Sequence, residues 1–427
     1  MKNVVRLLTS LLMLPALLVA AVGSAPAMAA PAAQAGAQTW NVLAGGESAP
    51  EPGPEHPSSA WTYTRFYPDK ITVHVGDTIV WKLNSMEIHQ VVFPAPGQVY
   101  LPFIQPDPSN PQGQMLNPLV AFPQGGQTYD GTALTGSGLL GAPPTNTKEY
   151  KLTFTKAGTF DYLCPMHSSQ LPDGSVAGMT GSVTVLAADQ ALPKTPAQVD
   201  SDAQVAISAD NQAAKAAEPQ AKQVAAPSPG PNGTTIYHGN IGWDNGPMSY
   251  MRFYPTDFTV HVGDKIEWTQ TSNQTPHTVS LFSGQAEPPM FVTQEQQGGP
   301  PKILFNPDAL APAGGSSYDG TGTSNSGFMP GKQDPAPGPR TYSLTFTKPG
   351  TYEYICVLHD EMGMNGHITV LPANGSGGSS SPGMPRTGSG AQDTSLLFAG
   401  VAAGTLLVLC GLFLVRRKGA VRRVGGE

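Results

Sequence analysis

Apolar and polar residues alternate along this chain with a period of two. Ile71, Val73 and Val75 share one face with Thr72 and His74 between them, Gly76-Asp77 turns the chain, and Ile79 and Trp81 resume the inward set. That is the pattern of strands with one buried face. Phe258, Val260, Val262, Ile266 and Trp268 repeat it, and closing strands are predicted over 150–155, 158–163 and 181–186. Short strands between Gly and Pro turns, with no convincing amphipathic helix, predict an all-β chain built as an antiparallel β-sandwich.

The whole pattern occurs twice. TRFYPDKITVHVGD from Thr64 returns as MRFYPTDFTVHVGD from Met251, Tyr129-Asp-Gly-Thr returns at Tyr318, and Leu152-Thr-Phe-Thr-Lys returns at Leu344, so the offset runs only from 187 to 192. Two tandem domains are expected, 38–186 and 233–372, and the 427 residues leave each room for its own core. Between them 187–232 is rich in Ala, Pro and Gln, lacks aromatic residues and reads as a linker with some helix around 212–226. The stretches 94–147 and 283–339 are long, proline-rich and weakly patterned, and no chemistry is predicted there.

The two ends have patterns of their own. Lys2 and Arg6 precede an apolar run over 7–22, and Ala27-Met28-Ala29 supplies small residues for cleavage, so 1–29 reads as a secretory signal peptide. Residues 373–393 form a flexible tether containing Met384-Pro385-Arg386-Thr387-Gly388, which resembles the sortase sorting signal with Met in place of Leu. The segment 394–418 holds an apolar run over 396–415 followed by Arg416-Arg417-Lys418, the pattern of a hydrophobic anchor helix with a basic stop. The expected location is the cell surface, through a membrane helix or sortase-type wall attachment. Between the ends, 30–385 holds 15 Lys+Arg against 28 Asp+Glu, a formal charge of −13. That sign disfavours nucleic acid and suits a redox partner protein with a basic surface.

Of three cysteines, Cys410 lies in the apolar run, which leaves Cys164 and Cys356, one per repeat and unable to pair within it. An exported domain that keeps one unpaired cysteine uses it for something other than a disulfide. Each is followed three residues later by a histidine, in Cys164-Pro-Met-His167 and Cys356-Val-Leu-His359. A methionine follows within Gly178-Met179-Thr-Gly and Gly363-Met364-Asn-Gly, and an upstream histidine stands at His89 and His277. Two imidazoles, a thiolate and a thioether are the ligand types of a blue copper site, and one copper per repeat is expected. Zinc is the chemical alternative, since Cys, two His and a fourth ligand also satisfy a tetrahedral site, although a thioether suits it poorly.

This arrangement, with Val-Gly-Asp and Trp in an early strand and a C-x2-H loop ending in Met, resembles plastocyanin and the wider cupredoxin family. The resemblance implies two tandem Greek-key β-sandwich domains of cupredoxin type with His89, Cys164, His167 and Met179, and His277, Cys356, His359 and Met364, as metal ligands. Repeat two matches the family's ligand loop in spacing, whereas repeat one places eleven residues rather than four between His167 and Met179. The family's usual Asn after the upstream His is replaced by Gln90 and Thr278. The expected function is extracytoplasmic electron transfer, without catalysis. A two-domain copper oxidase or nitrite reductase is the enzymatic alternative; those families set His beside the copper cysteine and add His-x-His pairs. Here the neighbours are Leu163, Pro165, Ile355 and Val357, and no His-x-His occurs. Copper storage or delivery, the remaining alternative, calls for more exposed Met and His than Met248 and Met251 supply.

Overall fold

The computed structural model describes residues 36–48, 61–334 and 336–373. The predicted signal peptide, the tether from 374 onward and the predicted anchor with Cys410 lie outside them. Among the described residues no helix is long and apolar enough to cross a membrane.

Strands dominate, as the alternation requires. The N-terminal half contains β1 (Thr39–Glu47), β2 (Thr62–Tyr67), β3 (Lys70–His74), β4 (Thr78–Leu83), β5 (Val92–Phe93), β6 (Ile104–Asp107), β7 (Asn110–Leu116), β8 (Glu149–Phe154), β9 (Gly158–Gln170) and β10 (Val176–Leu186). The C-terminal half contains β11 (Thr235–Asn245), β12 (Met248–Tyr254), β13 (Phe258–His261), β14 (Lys265–Gln270), β15 (Ser280–Leu281), β16 (Phe291–Gln294), β17 (Lys302–Phe305), β18 (Thr341–Phe346), β19 (Gly350–Ile355) and β20 (Asn365–Leu371). In the first half one sheet runs β2-β1-β4-β8 and the other β3-β10-β9-β5; in the second the orders are β12-β11-β14-β18 and β13-β20-β19-β15. The sheets are mixed rather than purely antiparallel, which corrects the expectation. After β2 the chain crosses to add β3 to the second sheet and returns as β4, which enters parallel to β1, while β3 lies parallel to β10.

The inward residues of the alternation fill the space between sheets. Trp40, Phe66, Trp81, Phe154 and Tyr162 are buried in the first core, and Phe253, Trp268, Leu344 and Tyr354 in the second. The repeated Gly-Asp has a reason beyond the turn. Buried Asp77 accepts hydrogen bonds from Gln38 N at 2.7 Å, Trp40 Nε1 at 2.8 Å and His74 N at 2.9 Å, which ties the first strand to the turn after β3. Asp264 does the same with Thr235 N and His261 N, both at 2.8 Å.

The two halves are not strung on a loose linker. β2 and β12 pair antiparallel, with Tyr63 opposite Met248 and Thr62 opposite Ser249, so one sheet continues from each half into the other. The expected linker forms a helix over Pro196–Ala221, capped by Thr195 and Gln198, that starts well before residue 212. Its Asn211 accepts from Trp61 Nε1 at 2.8 Å and its Asp210 from Tyr67 Oη at 2.6 Å, while Ala214 O accepts from Tyr250 Oη at 2.5 Å. Ala203, Ala214, Ala217 and Ala221 pack on Trp61, Tyr63, Met248 and Tyr250. The proline-rich stretches also join: β16, β17, β7 and β6 form a four-stranded sheet through Leu304 opposite Met115, with Lys302 Nζ 2.5 Å from buried Asp107.

Removing the carboxylate of Asp77 leaves three donors without their acceptor, the indole of Trp40 in the core and two part-buried backbone amides. Asp77→Ala should therefore cost about 3 kcal/mol in urea-unfolding free energy, against under about 0.5 kcal/mol for the exposed Asp189→Ala.

Candidate metal centre

Each half gathers three donor atoms at one end of its sandwich. His89 follows β4 and exchanges backbone hydrogen bonds with Leu140, and His277 does so with Met329. Cys164 and His167 sit where the β9–β10 register shifts between Leu163 and Ser168. Cys356 immediately follows β19, and His359 opens the 3-10 turn Asp360–Met362, which Gly363 closes at φ 84°.

In the first half His89 Nδ1 lies 3.2 Å from His167 Nδ1, and Cys164 Sγ lies 3.4 Å from His167 Nδ1. In the second the two Nδ1 atoms are 3.1 Å apart, and Cys356 Sγ stands 3.7 Å from His277 and 3.5 Å from His359. Three lone-pair donors converge, and the donors of each trio lie within 4.8 Å of one another. Metal–nitrogen and metal–sulfur bonds of roughly 2.0 and 2.3 Å span such separations at angles of about 100–120°. The residues fit one ion per half.

The backbone is shaped to hold the rings. Gly45 and Gly242 sit at the β-bulges of the first strand pair of each half, at φ 76° and 60°, and a Cβ there would stand 2.2 Å from His89 Nε2 and 2.3 Å from His277 Nε2. Only glycine leaves the imidazole its place. The outward ring nitrogens are anchored by Ser85 Oγ at 3.0 Å and Ser272 Oγ at 3.1 Å. These serines and glycines escape a search for ligands, although each serine stands four or five residues before its histidine in both repeats.

The sulfurs accept backbone hydrogen bonds from Gln90 N and Thr278 N, both at 3.3 Å. The side chains of the same two residues pin the ligand loops: Met166 N donates to Gln90 Oε1 at 3.2 Å and Val357 N to Thr278 Oγ1 at 2.9 Å. Gln and Thr thus tie the two loops of each site together. Tyr162 and Tyr354 pack in the core against Trp81 and Trp268 at 5.4 and 5.5 Å between ring centroids.

The eleven residues between His167 and Met179 form a hairpin in which Ser168–Gln170 pair with 176–178. Beyond it Leu163 opposes Thr180, as Ile355 opposes Asn365 in the second half. Met179 and Met364 therefore occupy one register position, each immediately before the partner of the residue preceding the cysteine. Both are buried in the core cluster that contains their cysteine.

Electrostatically the donors are neutral before a metal arrives. Burial pushes both thiols up to about 12. It lowers His167 to about 4, and burial together with the nearby charge of His167 lowers His359 to about 3. His89 and His277 fall well below the ordinary value through burial and the facing imidazole. The first site has a neighbour that pattern reading missed: buried Glu87, raised to about 7 by desolvation, has Oε1 3.8 Å from His167 Nε2, whereas Thr275 occupies the corresponding place two residues before His277.

Residues 240–371 match the family model of copper binding proteins, plastocyanin/azurin family. A chloroplastic plastocyanin of Physcomitrium patens is 26% identical over 130 residues, 30% of this chain and 55% of that protein, so the match spans about half of the relative's length. Solved structures with similarity include oxidised plastocyanin from Dryopteris crassirhizoma (16% identity, 31% of this chain and 99% of that one, TM-score 0.19) and an amicyanin mutant in the Cu(I) state (20% identity, 35% and 82%, TM-score 0.18).

With thiols near 12, filling a site must expel at least one proton per metal. Copper affinity in a chelator competition should therefore rise at least about tenfold per pH unit between pH 7 and 9. The metal-free chain should show no thiolate absorbance at pH 9. A pH-independent affinity over that range would mean that the thiols are already ionised.

Proposed function

We propose that this chain is an extracytoplasmic blue-copper electron-transfer protein with one mononuclear copper in each half, a reading supported by the match of residues 240–371 to the plastocyanin/azurin family of copper binding proteins. The observation that supports this most is the duplicated His, Cys, His convergence, buried in both halves. Bound there, copper cycles between Cu(I) and Cu(II) and stores one electron per site. His89, Cys164 and His167 would hold the first ion and His277, Cys356 and His359 the second, with the thioethers of Met179 and Met364 as weak further ligands.

The protein's part is to keep this set still and dry. Ser85 and Ser272 fix the imidazole planes, Gln90 N and Thr278 N bond the sulfurs, and the β-bulges at Gly45 and Gly242 make room for the rings. A site that cannot rearrange changes little when its charge changes, which suits a carrier. We read the chain as non-enzymatic because the residues flanking Cys164 and Cys356 are Leu163, Pro165, Ile355 and Val357, with no His among them, and no His-x-His occurs in the sequence. The sites of the oxidase and nitrite reductase alternative need such additional ligands. Export follows from the signal pattern, and the acidic exported region suits one-electron partner proteins of basic surface. Attachment by a membrane helix or to the wall rests on the C-terminal pattern alone.

The purified chain should hold two coppers and be intensely blue when oxidised, and Cys164→Ser with Cys356→Ser should remove the colour. A colourless protein that holds zinc and refuses copper would overturn the reading. Supplied with a reductant, the copper-loaded chain should consume neither oxygen nor nitrite at a steady rate. Met179→Leu should raise the potential of the first site, as Met364→Leu should that of the second, since losing a weak thioether ligand would favour Cu(I). An unchanged potential and spectrum in Met179→Leu would remove Met179 from the ligand set.

A further inference from the structure

The ends that hold the two donor clusters face each other. β2 begins at the cluster end of its half, where Thr62 opposes Glu47, two residues from the Gly45 that lies beneath His89. β12 begins likewise: Ser249 opposes Asp244, two residues from the Gly242 beneath His277. Thr62 pairs with Ser249, and these are equivalent residues, since the repeat offset there is 187. Two equivalent residues directly opposed mark a local two-fold axis. A second such pair is Met115 with Leu304, at the offset of 189 that also relates Asn117-Pro118 to Asn306-Pro307. β2 and β12 run antiparallel and overlap only in their first residues, so the halves extend away from the axis and meet head to head at the cluster ends.

The side chains at this junction are withdrawn from water. Thr62 is fully buried, and Glu87, Asp244, Ser249 and His359 are all under 9% exposed. Charges separated by such material interact through a lower effective dielectric than water and are screened little by salt.

We propose that this head-to-head junction couples the two sites, so that an electron taken up at one lowers the affinity of the other for the next. The inference rests on the two-copper reading above. Each uptake takes one electron from an external one-electron reductant and makes or breaks no bond; a site of net charge +1, Cu(II) with thiolate, becomes neutral Cu(I) with thiolate. While one site is still oxidised its charge favours reduction of the other, and that help is gone for the second electron. The chain then fills in two separated steps.

Potentiometric titration of the full chain tests this beside Cys164→Ser and Cys356→Ser, each holding one copper. The site reduced first should be reduced more readily in the two-copper chain than in its single-copper variant, by about three- to tenfold in equilibrium constant. The site reduced last should match its single-copper value, and the difference should survive raised salt. Pulsed dipolar EPR of the fully oxidised, unsubstituted chain reads the same junction should either variant fail to fold, and short-range Cu(II)–Cu(II) coupling is expected. Two bound coppers with single-copper potentials throughout, or with spins too distant to couple, would overturn the coupling and leave the electron-transfer reading intact. Fewer than two coppers per chain would overturn both.

Discussion

A cysteine sulfur held in a dry core beside two imidazoles is the constraint on which the rest of this molecule depends. Burial makes the thiolate costly, to the point that the free thiol is held up to about 12, and equally denies the imidazoles their protonated forms. Each metal-free site is then a cluster of neutral donors aimed at one another at 3.1–3.7 Å. A cation resolves that arrangement by taking the thiolate and both lone pairs at once.

Keeping the donors in place takes rigid parts from several levels of the fold. The β-bulge glycines yield space that any Cβ would occupy, the serine hydroxyls turn the rings, and backbone amides of the residue after each upstream histidine reach the sulfur. Behind them the Asp77 and Asp264 carboxylates lock the early strands, and aromatic residues fill the space between sheets. Ligand geometry here is a property of the whole sandwich end rather than of the four-residue loop that first draws the eye.

The segments without obvious chemistry assemble the halves. The proline-rich stretches contribute a shared four-stranded sheet and its buried Lys302–Asp107 pair. The presumptive linker is a helix laid over the junction, bonded to Trp61 and Tyr67 on one side and Tyr250 on the other. A continuous sheet, a second shared sheet and a docked helix leave the halves little independent freedom, which is the condition under which charges on the two sides can act on each other.

Much of this was legible in the chain itself. Period-two alternation predicts strands because a pleated strand offers one face to a core, and the duplicated Cys, His, Met and upstream His announce their chemistry because few side chains can be soft donors at those spacings. Ser85, Gly45 and Glu87 were invisible, since a serine, a glycine and an acid have many uses and only proximity assigns one. The eleven-residue gap before Met179 looked like a departure, and only the hairpin register showed that it returns to the position of Met364. The helix went unrecognised over most of its length because alanine, weakly apolar, leaves a faint stripe that shows its purpose only against aromatic partners. Direction of strand pairing and the meeting of the two halves were likewise decided in three dimensions: alternation records which face is buried, but edge hydrogen bonds are made by backbone groups that every residue shares.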